Sequence, residues 1–332
     1  MKFNEKNIVL IETGHTLLLY MLLNDNFDEN SVFMFSDKAL NKRFENQKLG
    51  LEFYYFSKDE YYEILKVKSK LLKAFKKKQF KKNFKNKILE TIEKTTKNYK
   101  KNFVGHDHIF ISRLIWNKID EFTLLEDGIT NYDLDVYLKN KKNRFKSKKN
   151  LKLGLSPKVK KIILSGLKKI PKEIKDKVEI VNFQKEWNKK SDKNKEKILS
   201  FFELTKQEVD KIREKKIILC TQPFSDDDVM TEEEEMKMYH RILENYNHKD
   251  VLIKIHPRET KTYDKYFPDI MVDTSRVPFE MYEYMGFNFD IVATVSSTTA
   301  FSIKNVKKVD FYGTKIHPKL LKEFGNIEYN ER

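Results

Sequence analysis

The feature that most constrains this chain is a set of short apolar runs that stop at residues able to do chemistry. Ile217–Ile218–Leu219–Cys220 ends in Thr221–Gln222–Pro223 and then the cluster Ser225–Asp226–Asp227–Asp228. Val251–Leu252–Ile253–Lys254–Ile255 stops at His256–Pro257–Arg258, and Ile291–Val295 at Ser296–Ser297–Thr298–Thr299. Apolar runs this short, bounded by turn-forming residues, read as strands buried on both faces, the pattern of a parallel sheet. In open α/β sheets ligands sit beyond the carboxyl ends of the strands. Three strand tips thus offer carboxylates, an imidazole, a guanidinium and hydroxyls, a set suited to an anion-binding active site.

The same alternation runs along the rest of the chain. Asn7–Ile11 reads as a strand, Thr13–Gly14–His15 as its tip and Thr16–Leu23 as a helix, with Gly14 allowing a tight turn. Further strands are expected at Ser31–Phe35, Leu51–Tyr55, His108–Ser112, Thr123–Leu125, Lys161–Leu164, Val178–Asn182 and Val309–Tyr312. Ile198–Ile212 and Thr231–Tyr246 read as helices. The polar, aperiodic stretch Gln184–Lys197 marks a boundary, giving domains 1–185 and 186–332. Strands alternating with helices in both halves imply two α/β domains with mainly parallel sheets.

Charge narrows the reading less than it first suggests. Against 50 acidic residues stand 66 basic ones, a net charge of +16, which suits nucleic acid, an anionic membrane or an anionic substrate. The excess is mostly lysine, alongside abundant asparagine, and part of it is a compositional habit. Within Lys66–Lys101 the apolar residues Leu71, Leu72, Phe75, Phe80, Phe84, Ile88, Leu89 and Ile92 recur at helical spacing. The first reading is a solvated basic face over a core-packing stripe; the second is contact with an anionic membrane or glycolipid head group. Nucleic acid ranks third and is not expected as a partner, because phenylalanines at helical positions suit burial better than base stacking. Cys220 is the single cysteine, so no intrachain disulfide forms, and its place in an apolar strand marks a buried thiol. Neither a signal peptide nor a run of about 18 apolar residues is visible. The protein is expected to be cytoplasmic and soluble, with peripheral contact to the membrane face through its basic patches.

Each strand tip has a chemical and a structural reading. Glu126–Asp127–Gly128 offers a general base or a turn. Asp226–Asp227–Asp228 offers a base or metal ligands, or else the N-cap of the helix that follows, whose first turn Glu232–Glu235 suits the helix dipole. His256, held extended by Pro257 and beside Arg258, suits a hydrogen bond to a phosphate. Ser296–Thr299 offers hydroxyls and backbone N–H groups as a phosphate seat or as simple caps.

In these motifs, and in their order from Glu126 to Thr299, the sequence resembles the bacterial sialyltransferases of glycosyltransferase family 52. The residues that carry the resemblance are the acidic-acidic-Gly motif Glu126–Asp127–Gly128, the His-Pro motif His256–Pro257 and the Ser-Ser motif Ser296–Ser297, supported by Thr221–Gln222–Pro223 and, weakly, Thr13–Gly14–His15. The resemblance implies a GT-B architecture of two Rossmann-like domains with a cleft between them, the first on the acceptor side and the second binding the donor. It implies inverting transfer of sialic acid from CMP-sialic acid to a galactoside of a surface glycan or glycolipid, with no metal and no other cofactor, by a homodimer. His256 acts on the CMP phosphate, and either Asp127 or Asp227 is the base. Gly14, His15, Glu126, Gly128, Gln222, Pro257, Arg258, Ser296, Ser297 and Thr298 bind substrate. Competing readings are another GT-B transferase, a polysialyltransferase, or a basic membrane- or nucleic-acid-binding protein without activity.

Overall fold

The computed structural model describes residues 5–97, 99–133, 151–256, 258–275, 277–297, 300 and 306–328. The chain divides into two compact units, Met1–Asn194 and Lys195–Arg332. Helix Phe183–Lys189 packs on the first unit, beyond the expected limit at 185, because Phe183 and Trp187 are buried there.

Among the described residues the first unit holds seven strands: β1 Glu5–Leu10, β2 Ser31–Phe35, β3 Glu52–Tyr55, β4 Lys100–Gly105, β5 Phe122–Leu125, β6 Val159–Leu164 and β7 Val178–Ile180. All pair in parallel, in the order β3-β2-β1-β4-β5-β6-β7. β2 is buried at every position, as its apolar run Val32–Phe35 requires, and buried Ser31 is hydrogen-bonded to Tyr20 OH. Helix α1, Gly14–Leu23, is apolar nearly throughout and buries Thr16 to Leu22. α2 (Lys38–Asn46) is capped by Asp37, whose carboxylate accepts from Leu40 N–H at 2.8 Å. α3 (Asp59–Lys66) and α4 (Lys70–Thr96) cover the other face, where Phe80, Phe84, Ile88 and Ile92 join Ile8, Leu10, Val32 and Met34 in one core. Each fully buried side chain of this size contributes about 1.5–3 kcal/mol relative to exposure. The expected core stripe on α4 is therefore real from Phe80 onward. Leu71, Leu72 and Phe75 are exposed instead.

The expected strand His108–Ser112 is not formed. The strand ends at Gly105, and Phe110–Ile115 is helix α5. Gly105 has φ +122, and a Cβ there would lie 2.1 Å from the carbonyl oxygen of Leu10. The chain thus turns out of the sheet at the one residue that permits it.

The second unit has β8 Ile217–Cys220, β9 Val251–Lys254, β10 Met271–Asp273, β11 Ile291–Thr294 and β12 Lys308–Phe311. They too are all parallel, in the order β10-β9-β8-β11-β12. The stretch expected as one helix, Ile198–Ile212, is two. Glu203 takes a left-handed backbone (φ 58) after helix Asp192–Phe201, and Thr205 starts Lys206–Arg213 with a capping box to Glu208. Helix Glu232–Leu243 is capped the same way by Thr231 and Glu234, so Asp226–Asp228 are not its cap. No helix among the described residues is long and apolar enough to cross a membrane.

Candidate functional site

Strand order places the chemistry. In each sheet the order reverses once, between β1 and β4 in the first unit and between β8 and β11 in the second. A reversal leaves a crevice at the strand ends where the connections depart in opposite directions. The clusters described below lie at the strand tips on either side of these points.

In the first unit Leu10, Gly105 and Leu124 lie side by side in the register, so the tips after β1, β4 and β5 are level. Thr13 caps α1 by accepting from Thr16 N–H at 3.3 Å. Gly14 is the first helical residue, without the left-handed backbone that the turn reading implied; the N-cap makes the turn. Thr16 Oγ1 donates to the carbonyl of Glu126 at 2.8 Å and lies 2.6 Å from His106 Nε2. With its one proton spent on Glu126, Thr16 accepts from His106 Nε2–H. Burial pulls the His106 pKa down to about 4, so this imidazole is neutral at pH 7.

Asp127 faces two imidazoles. His106 Nε2 is 3.6 Å from its Oδ1, and His108 Nε2 is 3.2 Å from its Oδ2. Burial alone would lower the His108 pKa, but Asp107 and Asp127 outweigh it and hold it up at about 9. Burial alone would raise that of Asp127, but the hydrogen bond from His108 and the neighbouring imidazoles pull it below the usual carboxylate value. At neutral pH the pair is an imidazolium beside a carboxylate, with Asp127 still one-fifth exposed (21%). Asp107 anchors the arrangement, since its two oxygens accept from Leu153 and Gly154 N–H at 2.9 Å each.

Glu126 does not fit its expected role as a substrate contact. It is fully buried, and its oxygens accept from Tyr132 OH at 2.6 Å, Ser165 N–H at 2.6 Å and Ser165 Oγ at 2.9 Å. His15 Nε2 lies 3.7 Å from the same carboxylate. Glu126 therefore ties β5 to the loop after β6 and supports the His15 ring. Gly128 takes φ +54, as the turn reading of this motif expects.

In the second unit Lys254, Cys220 and Thr294 share one register line. Two residues further on stand His256, Gln222 and Ser296, on neighbouring tips. Adjacent strands are about 4.8 Å apart, so His256 and the Ser296–Ser297 pair flank the tip of β8 at about 10 Å from each other. His256 N–H donates to Glu259 Oε2 at 2.5 Å and to Thr221 Oγ1 at 3.1 Å. Its Nδ1 accepts from Arg258 N–H at 3.2 Å. The neutral ring therefore carries its proton on Nε2, away from the backbone. Burial lowers the His256 pKa, favouring this neutral form.

Glu259 is the hub beneath this loop. It is buried and accepts from Thr221 Oγ1 at 2.5 Å, Tyr263 OH at 2.6 Å and Lys261 Nζ at 2.9 Å. Lys261 is also 2.8 Å from Asp226 and 3.1 Å from Glu235. Burial would lower its pKa, but the three carboxylates hold it above the ordinary lysine value.

Asp227 is chelated by Arg258, with Oδ1–Nη1 at 2.7 Å and Oδ2–Nη2 at 3.0 Å. Gln222 Nε2 donates to the Thr221 carbonyl at 2.9 Å. Ser297 N–H donates to Thr294 Oγ1 at 3.1 Å, and both serines are half-buried. Pro257 and Thr298 lie outside the described residues. Cys220 is buried, which pushes its thiol up to about 12. Sequence reasoning missed His106, Asp107, His108, Glu259 and Lys261. The available signal was a run ending in Gly105–His106–Asp107–His108, the same grammar as the other tips.

Two solved structures show the fold. One is the GT-B domain of a sialyltransferase from Photobacterium damselae, with TM-score 0.55 and 13% identity, covering 91% of this chain and 89% of that one. The other is an α/β-galactoside α-2,3-sialyltransferase from the luminous marine bacterium Photobacterium phosphoreum, with TM-score 0.53 and 14% identity, covering 96% and 95%. Two doubly wound units with polar tips at their switch points are the GT-B fold of a glycosyltransferase. The chain belongs to glycosyltransferase family 52, whose model matches residues 60–320. An uncharacterized protein of Haemophilus influenzae is 40% identical over 225 residues, 68% of this chain and 72% of that protein.

Proposed function

We propose that this glycosyltransferase moves sialic acid from CMP-sialic acid to a galactoside hydroxyl of a surface glycan, inverting the anomeric centre and needing no metal. The observation that carries the reading is the row His256, Gln222 and Ser296 on neighbouring tips of the second unit, with His256 Nε2–H directed away from the backbone. A CMP-sugar leaves through a single phosphate. One imidazole N–H, two hydroxyls and backbone amides suffice to receive its growing negative charge.

The acceptor oxygen attacks the anomeric carbon, the bond from that carbon to the phosphate oxygen breaks, and CMP departs with the electron pair. The acceptor proton goes to a carboxylate. Of the two candidates, Asp127 is favoured, because both oxygens of Asp227 are engaged by Arg258. Asp127 is ionised, partly exposed and backed by an imidazolium that steadies its charge. We assign Asp227–Arg258 to fixing the loop that carries His256.

Thermal shift tests the donor class. A ligand that binds only the native state raises stability by mass action. CMP should raise Tm more than UMP or CDP at equal concentration, and an equal shift with UMP removes the cytidine assignment.

A further inference from the structure

Beyond the paired register of β8 and β9, Thr221 N–H still donates to the Lys254 carbonyl at 3.1 Å. His256 lies past that bond, so its main-chain groups need partners from outside the sheet. Both come from one residue three positions on. The His256 N–H donates to Glu259 Oε2 at 2.5 Å, and the His256 carbonyl accepts from Glu259 N–H at 3.0 Å. Thr221 Oγ1 shares the same His256 N–H at 3.1 Å, which ties this grip to the tip of β8. Arg258 N–H then meets the ring at Nδ1, 3.2 Å away. Nε2–H is the polar group of His256 left to meet a ligand.

The two oxygens of Glu259 divide their work. Oε2 accepts from His256 N–H and Thr221 Oγ1, and Oε1 from Tyr263 OH at 2.6 Å and Lys261 Nζ at 2.9 Å. An ionised carboxylate has about four acceptor sites, and these four donors fill them. The side chain is buried, so Glu259 acts through His256 and not on substrate. The outer tie, Arg258 to Asp227, is 60% and 41% exposed, and an exposed pair contributes little by itself. The grip on His256 therefore resides mainly in Glu259.

We propose that Glu259 is a positioning residue for the departure of the nucleotide: its carboxylate clamps the main chain of His256, sets Arg258 N–H against Nδ1 and so holds the ring in the Nε2–H tautomer that serves the leaving phosphate. The catalytic consequence, though not the clamp, rests on the CMP-sugar reading above. Glu259→Gln has the same shape and one oxygen fewer. Lys261 and Tyr263 keep the remaining oxygen, because the ammonium holds it most strongly. The new amide N–H groups then face His256 N–H and Thr221 donor against donor, and the clamp opens.

The test is a double-mutant cycle on the full chain: wild type, Glu259→Gln, His256→Ala and the double variant. Turnover is expressed per CMP site, with sites counted by calorimetric titration so that unfolded protein drops out. Glu259→Gln should lower kcat by roughly tenfold to a hundredfold and leave the Kd for CMP within about threefold. It should add no further loss in the His256→Ala background, as expected of residues that act as one unit. Glu259→Asp, which keeps the charge, should lose less. Unchanged kcat in Glu259→Gln, or losses that simply add, overturns the inference, since a merely structural role would act without His256. A second readout needs no turnover. Nitrogen-15 shifts of the His256 ring should show the Nε2–H form dominant in the wild type and the Nδ1–H form appearing in Glu259→Gln. A wild type without that dominance, or a variant that keeps it, also overturns the inference. If the tautomer shifts as expected while the wild type releases CMP from no CMP-sugar, the clamp stands and the CMP-sugar reading falls.

Discussion

His256 shows how one backbone contact can set the chemistry of a side chain. Arg258 N–H occupies Nδ1, so the neutral ring has only Nε2–H to offer. A donor aimed at the leaving phosphate stabilises the transition state more than bound donor. His256→Ala should therefore lower kcat by about a hundredfold or more while CMP affinity, read by calorimetry, changes little. Equal losses in affinity and turnover would assign the ring to binding alone. Asp127 makes a second prediction. His108 titrates at about 9, above its ordinary 6.5. Its contribution to stability is therefore complete below pH 6.5 and lost as pH rises through about 9. Asp127 titrates below its ordinary 3.8, so its contribution is complete above that value and lost as pH falls through the lowered one. His108→Gln removes the imidazolium, so the Asp127 pKa rises. The acid limb of the kcat/KM profile should move to higher pH, and the fall in Tm between pH 7 and pH 10 should shrink. An unmoved acid limb would mean that Asp127 does not take the proton.

At the scale of elements, α4 has two parts, buried from Phe80 onward and exposed before it. Phe84 is 7% exposed and Phe75 64%. Phe84→Ala should cost about 3–5 kcal/mol of unfolding free energy, whereas Phe75→Ala should stay within about 0.5 kcal/mol; urea unfolding separates them, and similar costs would contradict the burial pattern. The periodicity of Lys66–Lys101 announced the helix but could not show where the sheet beneath it ends. Strands were legible wherever a clean apolar run met a polar tip, as at Ile217, Val251 and Ile291. The reading failed at β4 because Ile109–Ile111 looks apolar enough for a strand, and only contact with the Leu10 carbonyl reveals that Gly105 must end it. The candidate site was legible one tip at a time. The pairing of His108 with Asp127 joins loops beyond two neighbouring strands, and local spacing carries no trace of it. Glu126 looked like a site residue for the same reason: its partners Tyr132 and Ser165 are set by the fold.

At the scale of the molecule, both units repeat one arrangement, an all-parallel sheet with one reversal of strand order and polar residues at the strand tips. The net charge of +16 is not what defines the site. Several of its lysines are bound within structural clusters, as Lys261 is by three carboxylates. As proposed above, the second unit handles a CMP-linked sugar and the chain passes that sugar to a galactoside. The most direct measurement incubates the full chain with a soluble galactoside and a panel of CMP- and UDP-sugars, with and without a chelator, and follows both free nucleotide and glycosylated product. CMP release from CMP-sialic acid should be matched by sialylated galactoside, undiminished by the chelator. Release from a UDP-sugar with none from CMP-sialic acid would contradict it.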